Sequence, residues 1–188
     1  RVLFRSNALY ASEDGEVFDY FGGVVDLHAG HVRFVGDPKT RIREDYLRIL
    51  RLFRFHAWYG KGEIDADALA AASAEKSGLK TLSGERVQKE LLRLLEAKEP
   101  WPGLAAMAQA GVLSELLPGS LHLERVRRLI AIEAALSRRP DAVLRLAALL
   151  PDSIERARQV ADALKCSNAD RERLVECGVS DERIGPAL

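Results

Sequence analysis

Four side chains recur at steps of three in the stretch REDYLRILRLFRFHAWYG, residues 43–60: Asp45, Arg48, Arg51 and Arg54. A carboxylate and a guanidinium one helical turn apart offer an acceptor and a donor fork to the edge of a nucleotide base, and the further arginines can hold phosphates. The same spacing also builds a solvated face laced with ion pairs, Asp45 with Arg48 and Glu44 with Arg48 or Arg51, each contributing about 0.3 kcal/mol. Charge and spacing leave both readings open.

Such side chains need a rigid carrier. The spacing predicts one long helix over residues 40–59, with Pro38 and Thr40 as start signals and Gly60 as the stop. At 100° per residue, Ile42, Tyr46, Ile49, Leu50, Phe53 and Ala57 form one stripe that faces a core. Asp45, Arg48, Arg51 and Arg54 fan across the opposite side as a shallow exposed spiral. A second helix begins at SGERVQKELLRLLEAKEP, where Ser83 can cap free backbone N–H groups, Glu85 sits in the positive first turn and Pro100 bars continuation. Further helices are predicted at about 103–117, 121–137, 141–150, 153–165 and 168–177, and the alanine-rich DADALAAASAEK reads as a loosely packed one.

The first 36 residues carry a different signal. EVFDYFGGVVDLHAGHVRFVG has short β-branched and aromatic runs broken by Gly22-Gly23 and Ala29-Gly30, and predicts a β-hairpin or small piece of sheet. Two or three strands need a covering layer to bury their apolar face.

The 188 residues balance 28 Lys+Arg against 28 Asp+Glu, with a pI near 7.1 and 47% hydrophobic residues. That balance excludes a disordered tail or a highly cationic nucleic-acid coat, so any nucleic-acid contact must be local. No apolar run is long enough to cross a bilayer and no signal-peptide pattern opens the chain, which predicts a cytoplasmic protein that contacts no membrane. Cys166 and Cys177 are too few for a disulfide framework and lack partners at metal spacing, so buried or half-buried thiols are expected.

Several stretches match one family in order and at fitting spacing. EDYLRILRLFRFHA (44–57) resembles the fourth conserved motif, EDxLRxLRxxRF, of class II tRNA nucleotidyltransferases, the CCA-adding enzymes. NALYA (7–11) resembles the end of the RRDFTxNAL motif, DYFGGVVDL (19–27) the D-x-F-G-G-x-x-D-L turn, VRFVGDPKTRIRED the lead into the arginine helix, and LSGERVQKEL (82–91) the fifth motif. The resemblance covers residues 7–95.

It implies a mostly α chain: a short β-hairpin remnant of a nucleotidyltransferase head over 1–36, a helical neck with the nucleotide-recognition helix over 37–117, and a helical body over 118–188. In the family, protein side chains rather than a nucleic-acid template choose the incoming nucleotide. Asp45 and Arg48 would read the base edge of CTP or ATP, with Arg51 and Arg54 supporting the base pocket and the triphosphate. Asp offers only acceptors and Arg only donors, which matches an exocyclic amine beside a ring nitrogen; CTP and ATP carry that pattern, UTP and GTP do not. Asn7 fits the pattern, Gly22 and Gly23 suit a flexible connection or a tight turn, Asp19 and Asp26 support that turn, and Glu44, Arg86 and Glu90 hold the arginine helix against its neighbour. The implied partners are tRNA, CTP and ATP.

The resemblance also implies Mg2+, held by a D-x-D pair on a head strand after a G-G-x-V-R-D stretch, and neither element is present. The one D-x-D, Asp65-Ala66-Asp67, reads as a helix start, so no catalytic or metal residue is expected in this chain, which alone should not polymerise nucleotides. The family pattern RRDFT stands here as RVLFR, with Val2, Leu3 and Arg5 where an Arg, an Asp and a Thr are expected, which reads residues 1–6 as foreign to the family sequence. His28 and His31 make a poor metal site, while His56 and His122 suit packing or capping. Arg125, Arg127, Arg128, Arg138 and Arg139 suit solvated helix faces or tRNA phosphates. A bacterial poly(A) polymerase shares the motifs, and a non-enzymatic helical RNA-binding scaffold is the reading from another class.

Overall fold

The computed structural model describes residues 3–178. Its helices are α1 (Gly23–Ala29), α2 (Pro38–Glu44), α3 (Leu47–Tyr59), α4 (Ala66–Glu75), α5 (Gly84–Leu95), α6 (Trp101–Gln109), α7 (Val112–Leu116), α8 (Leu123–Ala135), α9 (Ala142–Leu149), α10 (Ile154–Ala163) and α11 (Asn168–Cys177). Strands β1 (Leu9–Ala11) and β2 (Val17–Asp19) pair antiparallel, with Leu9 opposite Asp19 and Ala11 opposite Val17. The chain is mostly α, as expected. It divides into two compact units, one running to Leu82 and resuming over Ala97–Pro118, the other combining Ser83–Glu96 with the chain from Gly119 onward.

In the first unit the β signal is only partly realised. The hairpin forms, but GVVDLHA is the helix α1 rather than a strand. Gly22 takes a left-handed conformation (φ 74°) and the Asp19 carboxylate accepts from the N–H groups of Gly23 and Val24, at 2.8 and 2.9 Å. Those bonds satisfy the orphan donors of a helix start and override the β preference of Val24 and Val25. Leu3 and Arg5, which depart from the family pattern, and Phe4, which fits it, are all built into the unit. Phe4 is fully buried, bridges to Phe34 and packs on the rings of Phe34 and Phe55 at 5.2 and 4.9 Å. Arg1 and Val2 lie outside the described residues.

The predicted long helix over 40–59 is two helices. Asp37 caps α2, accepting from the Thr40 N–H at 2.8 Å, with Pro38 in the first turn, and Gly60 ends α3. Between them Asp45 is extended (φ −163°, ψ 106°) and its carboxylate accepts from the Leu47 N–H at 3.2 Å. A short acidic side chain that bonds nearby backbone competes with continuation of the helix. The break lets the end of α2 cover Arg48 through the Arg41 carbonyl and Glu44, so the exposed spiral is not formed. Ile42, Ile49, Leu50 and Phe53 are buried as expected, but so are Leu47, Leu52, His56 and Arg48, which together run nearly round the helix. α6 packs on α3 through Gly103, whose added Cβ would stand 3.1 Å from the Phe53 carbonyl oxygen. The predicted helix over 103–117 is α6 and α7, parted at Gly111 (φ 72°).

The second unit follows the predicted helices closely, with caps at Asp141, Ser153 and Ser167. Ser83 occupies the cap position of α5, but its side chain makes no capping bond. Its hydroxyl bonds the Glu85 carboxylate, which is held below its ordinary pKa first by the Glu85 backbone N–H and then by Ser83. An ion pair crosses the core: Arg145 on α9 donates to Glu133 on α8 (Nε to Oε2, 2.7 Å) and to the Leu95 carbonyl at the end of α5 (2.6 Å). Gly84 lets α5 approach α10 so closely that a Cβ would collide with the Ala163 carbonyl. Gly84→Ala is expected to lower the unfolding free energy of this unit by about 1–3 kcal/mol through overpacking, read as a lower urea midpoint.

Candidate nucleotide-selecting site

At the α2–α3 junction the structure brings together Arg41, Glu44, Asp45 and Arg48. Arg48 is 5% exposed, not on an open face. Its Nη1 donates to the Arg41 carbonyl at 2.7 Å and to Glu44 Oε2 at 2.6 Å. Arg41 Nη1 in turn donates to both Glu44 oxygens, at 3.1 and 2.9 Å. Asp45 stands half-buried between the two helices, its backbone carbonyl accepting from the Arg48 N–H at 3.0 Å. Arg51 and Arg54 follow, half-buried, on the next turns of α3, and the Arg54 guanidinium lies 4.5 Å from the centroid of the Phe55 ring. One carboxylate and one anchored guanidinium thus share a helix start, with two more cations along the same helix. An ion pair of 2.7 Å from Arg43 to Glu75 ties α2 to α4.

Asn7 and Asp26 stand elsewhere. They line a cleft of about 320 Å³ with His31, Phe55 and Tyr59, and none of Asp45, Arg48, Arg51 or Arg54 lines it. Asp26 is 2% exposed and its Oδ1 lies 3.3 Å from Arg33, which also reaches Asp65 at 3.3 Å. Asp19, Gly22 and Gly23 form the start of α1; a Cβ on Gly23 would collide with the Arg5 carbonyl. Arg86 is exposed and Glu90 buried, one turn apart on α5 of the second unit. Glu44 pairs with Arg41 and Arg48, on its own helix and the next.

The Asp19 carboxylate is held below its ordinary pKa chiefly by the N–H of Val24 and then that of Gly23. A depressed carboxylate adds stability above the ordinary value of about 3.9, and that stability is lost as pH falls through the lower folded value. The first turn of α1 is therefore expected to fray in acid, seen as faster amide exchange at Gly23 and Val24 below about pH 3.9, and Asp19→Asn should abolish the pH dependence.

The remaining predicted residues resolve simply. Asp65 caps α4, accepting from the Ala68 N–H at 3.0 Å, and pairs with Arg33, so the D-x-D is a helix start. His56 is buried, its ring against Gly60, and burial pushes its pKa down. His28 lies on α1 rather than in a turn, its Nδ1 2.9 Å from the Val24 carbonyl. His122 occupies the cap position of α8, where its side chain makes no capping bond. Cys166 is half-buried, whereas Cys177 is exposed rather than buried, and desolvation raises the pKa of both thiols. Arg127, Arg128, Arg138 and Arg139 are exposed. Arg125 departs from the solvated reading: its Nε donates to the Ala148 carbonyl at 2.9 Å and its Nη2 to that of Leu150, closing the end of α9. Sequence reasoning missed this clamp, Arg41 and the Arg145–Glu133 pair. The single signal for the last was an Arg in an otherwise apolar AVLRLAALL run.

A family model described as the probable RNA and SrmB-binding site of polymerase A matches residues 63–122. CCA tRNA nucleotidyltransferase 1, mitochondrial, of Mus musculus is 37% identical over 144 residues, which are 73% of this chain and 32% of that protein. A CCA-adding enzyme solved in complex with CTP superposes with a TM-score of 0.71 over 95% of this chain and 46% of its own, at 24% identity. The Thermotoga maritima CCA-adding enzyme complexed with tRNA gives 0.70 over 92% and 45%, at 23% identity. The chain spans about a third of the length of its mouse relative. The fold is therefore the helical neck and body found in these nucleotide-adding enzymes. Over the part that it spans, the chain belongs to the class II CCA-adding tRNA nucleotidyltransferase family.

Proposed function

We propose that this chain provides the nucleotide-selecting helix and part of the tRNA-binding body of an enzyme that adds CCA to tRNA 3′ ends. The observation that carries the reading is the placing of Asp45 and an anchored Arg48 together at the head of α3, joined by the bond from the Arg48 N–H to the Asp45 carbonyl. A carboxylate supplies acceptors and a guanidinium donors, the complement of the amine and ring nitrogen on the edges of CTP and ATP. Arg51 and Arg54 stand along the same helix to support the base pocket and the triphosphate. Glu44 supports Arg48 directly, Asn7, Asp19, Gly22, Gly23 and Asp26 support the first unit, and Arg86 and Glu90 support the second. The complexes with CTP and with tRNA formed by proteins of this fold favour the same partners. Exposed Arg127, Arg128, Arg138 and Arg139 offer contacts to tRNA phosphates.

Transfer itself needs divalent ions held by closely spaced carboxylates. The acidic residues here do not fit that task. Asp65 is committed to its cap and to Arg33, and among the described residues no group of three or more His, Cys, Asp or Glu could hold a metal ion. We assign Mg2+ and the chemical step to carboxylates of the complete enzyme outside this chain, which alone selects nucleotides without polymerising them. Among the described residues no helix is long and apolar enough to cross a membrane, and we place the enzyme in the cytoplasm with its tRNA.

Calorimetric titration of the chain with each nucleotide tests this reading: CTP and ATP should bind, UTP and GTP should not, and equal binding of all four would overturn it. One observation favours the poly(A) polymerase reading, the polymerase A description of the matching family model. Extension assays on the complete enzyme separate the two, since a CCA-adding enzyme uses both CTP and ATP and a poly(A) polymerase uses ATP alone.

A further inference from the structure

Arg41 was not among the residues singled out by spacing, yet it supplies one acceptor of the Arg48 guanidinium and holds the other. Its backbone carbonyl belongs to the last turn of α2, where carbonyls run out of helical donors, and it accepts from Arg48 Nη1 at 2.7 Å. Its side chain lies over Glu44, with Nη1 bonded to both carboxylate oxygens at 3.1 and 2.9 Å. Glu44 Oε2 accepts the other bond from Arg48 Nη1, at 2.6 Å. Arg41 therefore grips Arg48 twice, once through its own backbone and once through the carboxylate that it holds.

The chemistry of the guanidinium gives this grip a consequence. Nη1 carries two hydrogens, and both are committed, one to the Arg41 carbonyl and one to Glu44. The planar fork cannot bend, so anchoring Nη1 fixes the direction of the Nη2–Nε edge, the remaining bidentate donor edge. The cluster is sheltered enough for this geometry to persist, the side chains of Arg41, Glu44 and Arg48 being 18%, 27% and 6% exposed. Without the Arg41 side chain, Glu44 would lose one of the cations that fix its carboxylate, and the acceptor of Arg48 would be held less firmly.

We propose that Arg41 is a positioning residue for nucleotide selection: through Glu44 and its own carbonyl it aims the Arg48 guanidinium, and so sets how strongly the site rejects UTP. The inference rests on the reading of Asp45 and Arg48 as the base-selecting pair. It assigns Arg41 no contact with the nucleotide.

The test uses the complete enzyme with Arg41→Gln, Arg41→Lys and, as a reference, Asp45→Ala, measuring kcat and KM separately for CTP, ATP and UTP. Arg41→Gln is expected to reduce the preference for CTP over UTP, as a ratio of kcat/KM values, by about tenfold or more, with Arg41→Lys in between because it keeps the charge and loses the fork. A merely structural role would lower activity with every nucleotide alike and leave the ratio unchanged, which overturns the proposal. Should Arg41→Gln not fold, the ratio in Arg41→Lys decides. Loss of discrimination in Asp45→Ala with full discrimination in the Arg41 variants refutes the role of Arg41 and leaves the base-selecting pair standing. Discrimination retained in Asp45→Ala removes the pair itself, and the proposal with it.

Discussion

Arg145→Ala is expected to destabilise the second unit by about 3–5 kcal/mol, the largest stability effect among the substitutions considered. Arg145 is 1% exposed, and its guanidinium is committed to Glu133 on α8 and to the Leu95 carbonyl that ends α5. Glu133 is itself buried and also accepts from the Asp141 N–H at 3.3 Å, where α9 begins. Truncation would leave a buried carboxylate without its cation and a helix-end carbonyl without its donor, and both costs fall on the folded state. A urea titration of the variant measures the loss. The paired replacement Arg145→Met with Glu133→Leu should recover much of it, because removing both charges removes the desolvation penalty along with the attraction. Recovery would show that the pair specifies how α5, α8 and α9 meet more than it stabilises them.

The second large effect is on recognition. Arg48→Ala is expected to reduce CTP and ATP binding by about tenfold or more, and Arg48→Lys to fall nearly as far, since lysine keeps the charge but presents no planar fork. The substitution also strips the donor from the Arg41 carbonyl and one of the two cations from Glu44, at a cost of about 1.5–3 kcal/mol. Binding by calorimetry, run well below the melting transition of each variant, separates the two effects. Binding of UTP and GTP, expected to be weak from the start, should change little. Equal loss for all four nucleotides would assign Arg48 to the phosphates rather than to the base.

Much of the candidate cluster's geometry was legible because its residues are neighbours in sequence. Glu44, Asp45 and Arg48 lie within five positions, and helical periodicity alone brings them together. What failed was the assumption of one helix through them. Asp45 breaks the helix because its carboxylate and carbonyl bond the backbone of Leu47 and Arg48, a competition that a wheel drawn at constant pitch cannot contain. Once the helix is broken, the end of α2 lies over Arg48 and covers a face that the wheel left to solvent. The α1 helix was missed for a related reason: Val24 and Val25 gave a strand signal, and the deciding bonds come from Asp19, several residues before it.

The sequence by itself determined where most helices begin and end, through Asp37, Pro38, Gly60, Asp141, Ser153 and Ser167, because caps and stops are local bonds between residues a few positions apart. It also determined the family, through motifs read directly from the chain. Only the tertiary structure decided which charges are buried. Arg145 meets the Leu95 carbonyl across 50 positions of sequence and Arg125 meets that of Leu150 across 25, contacts that exist only once the helices have packed. An arginine in a sequence is soluble by default. It becomes a bolt, a clamp or an aimed donor only when packing removes water from around it and offers acceptors in return.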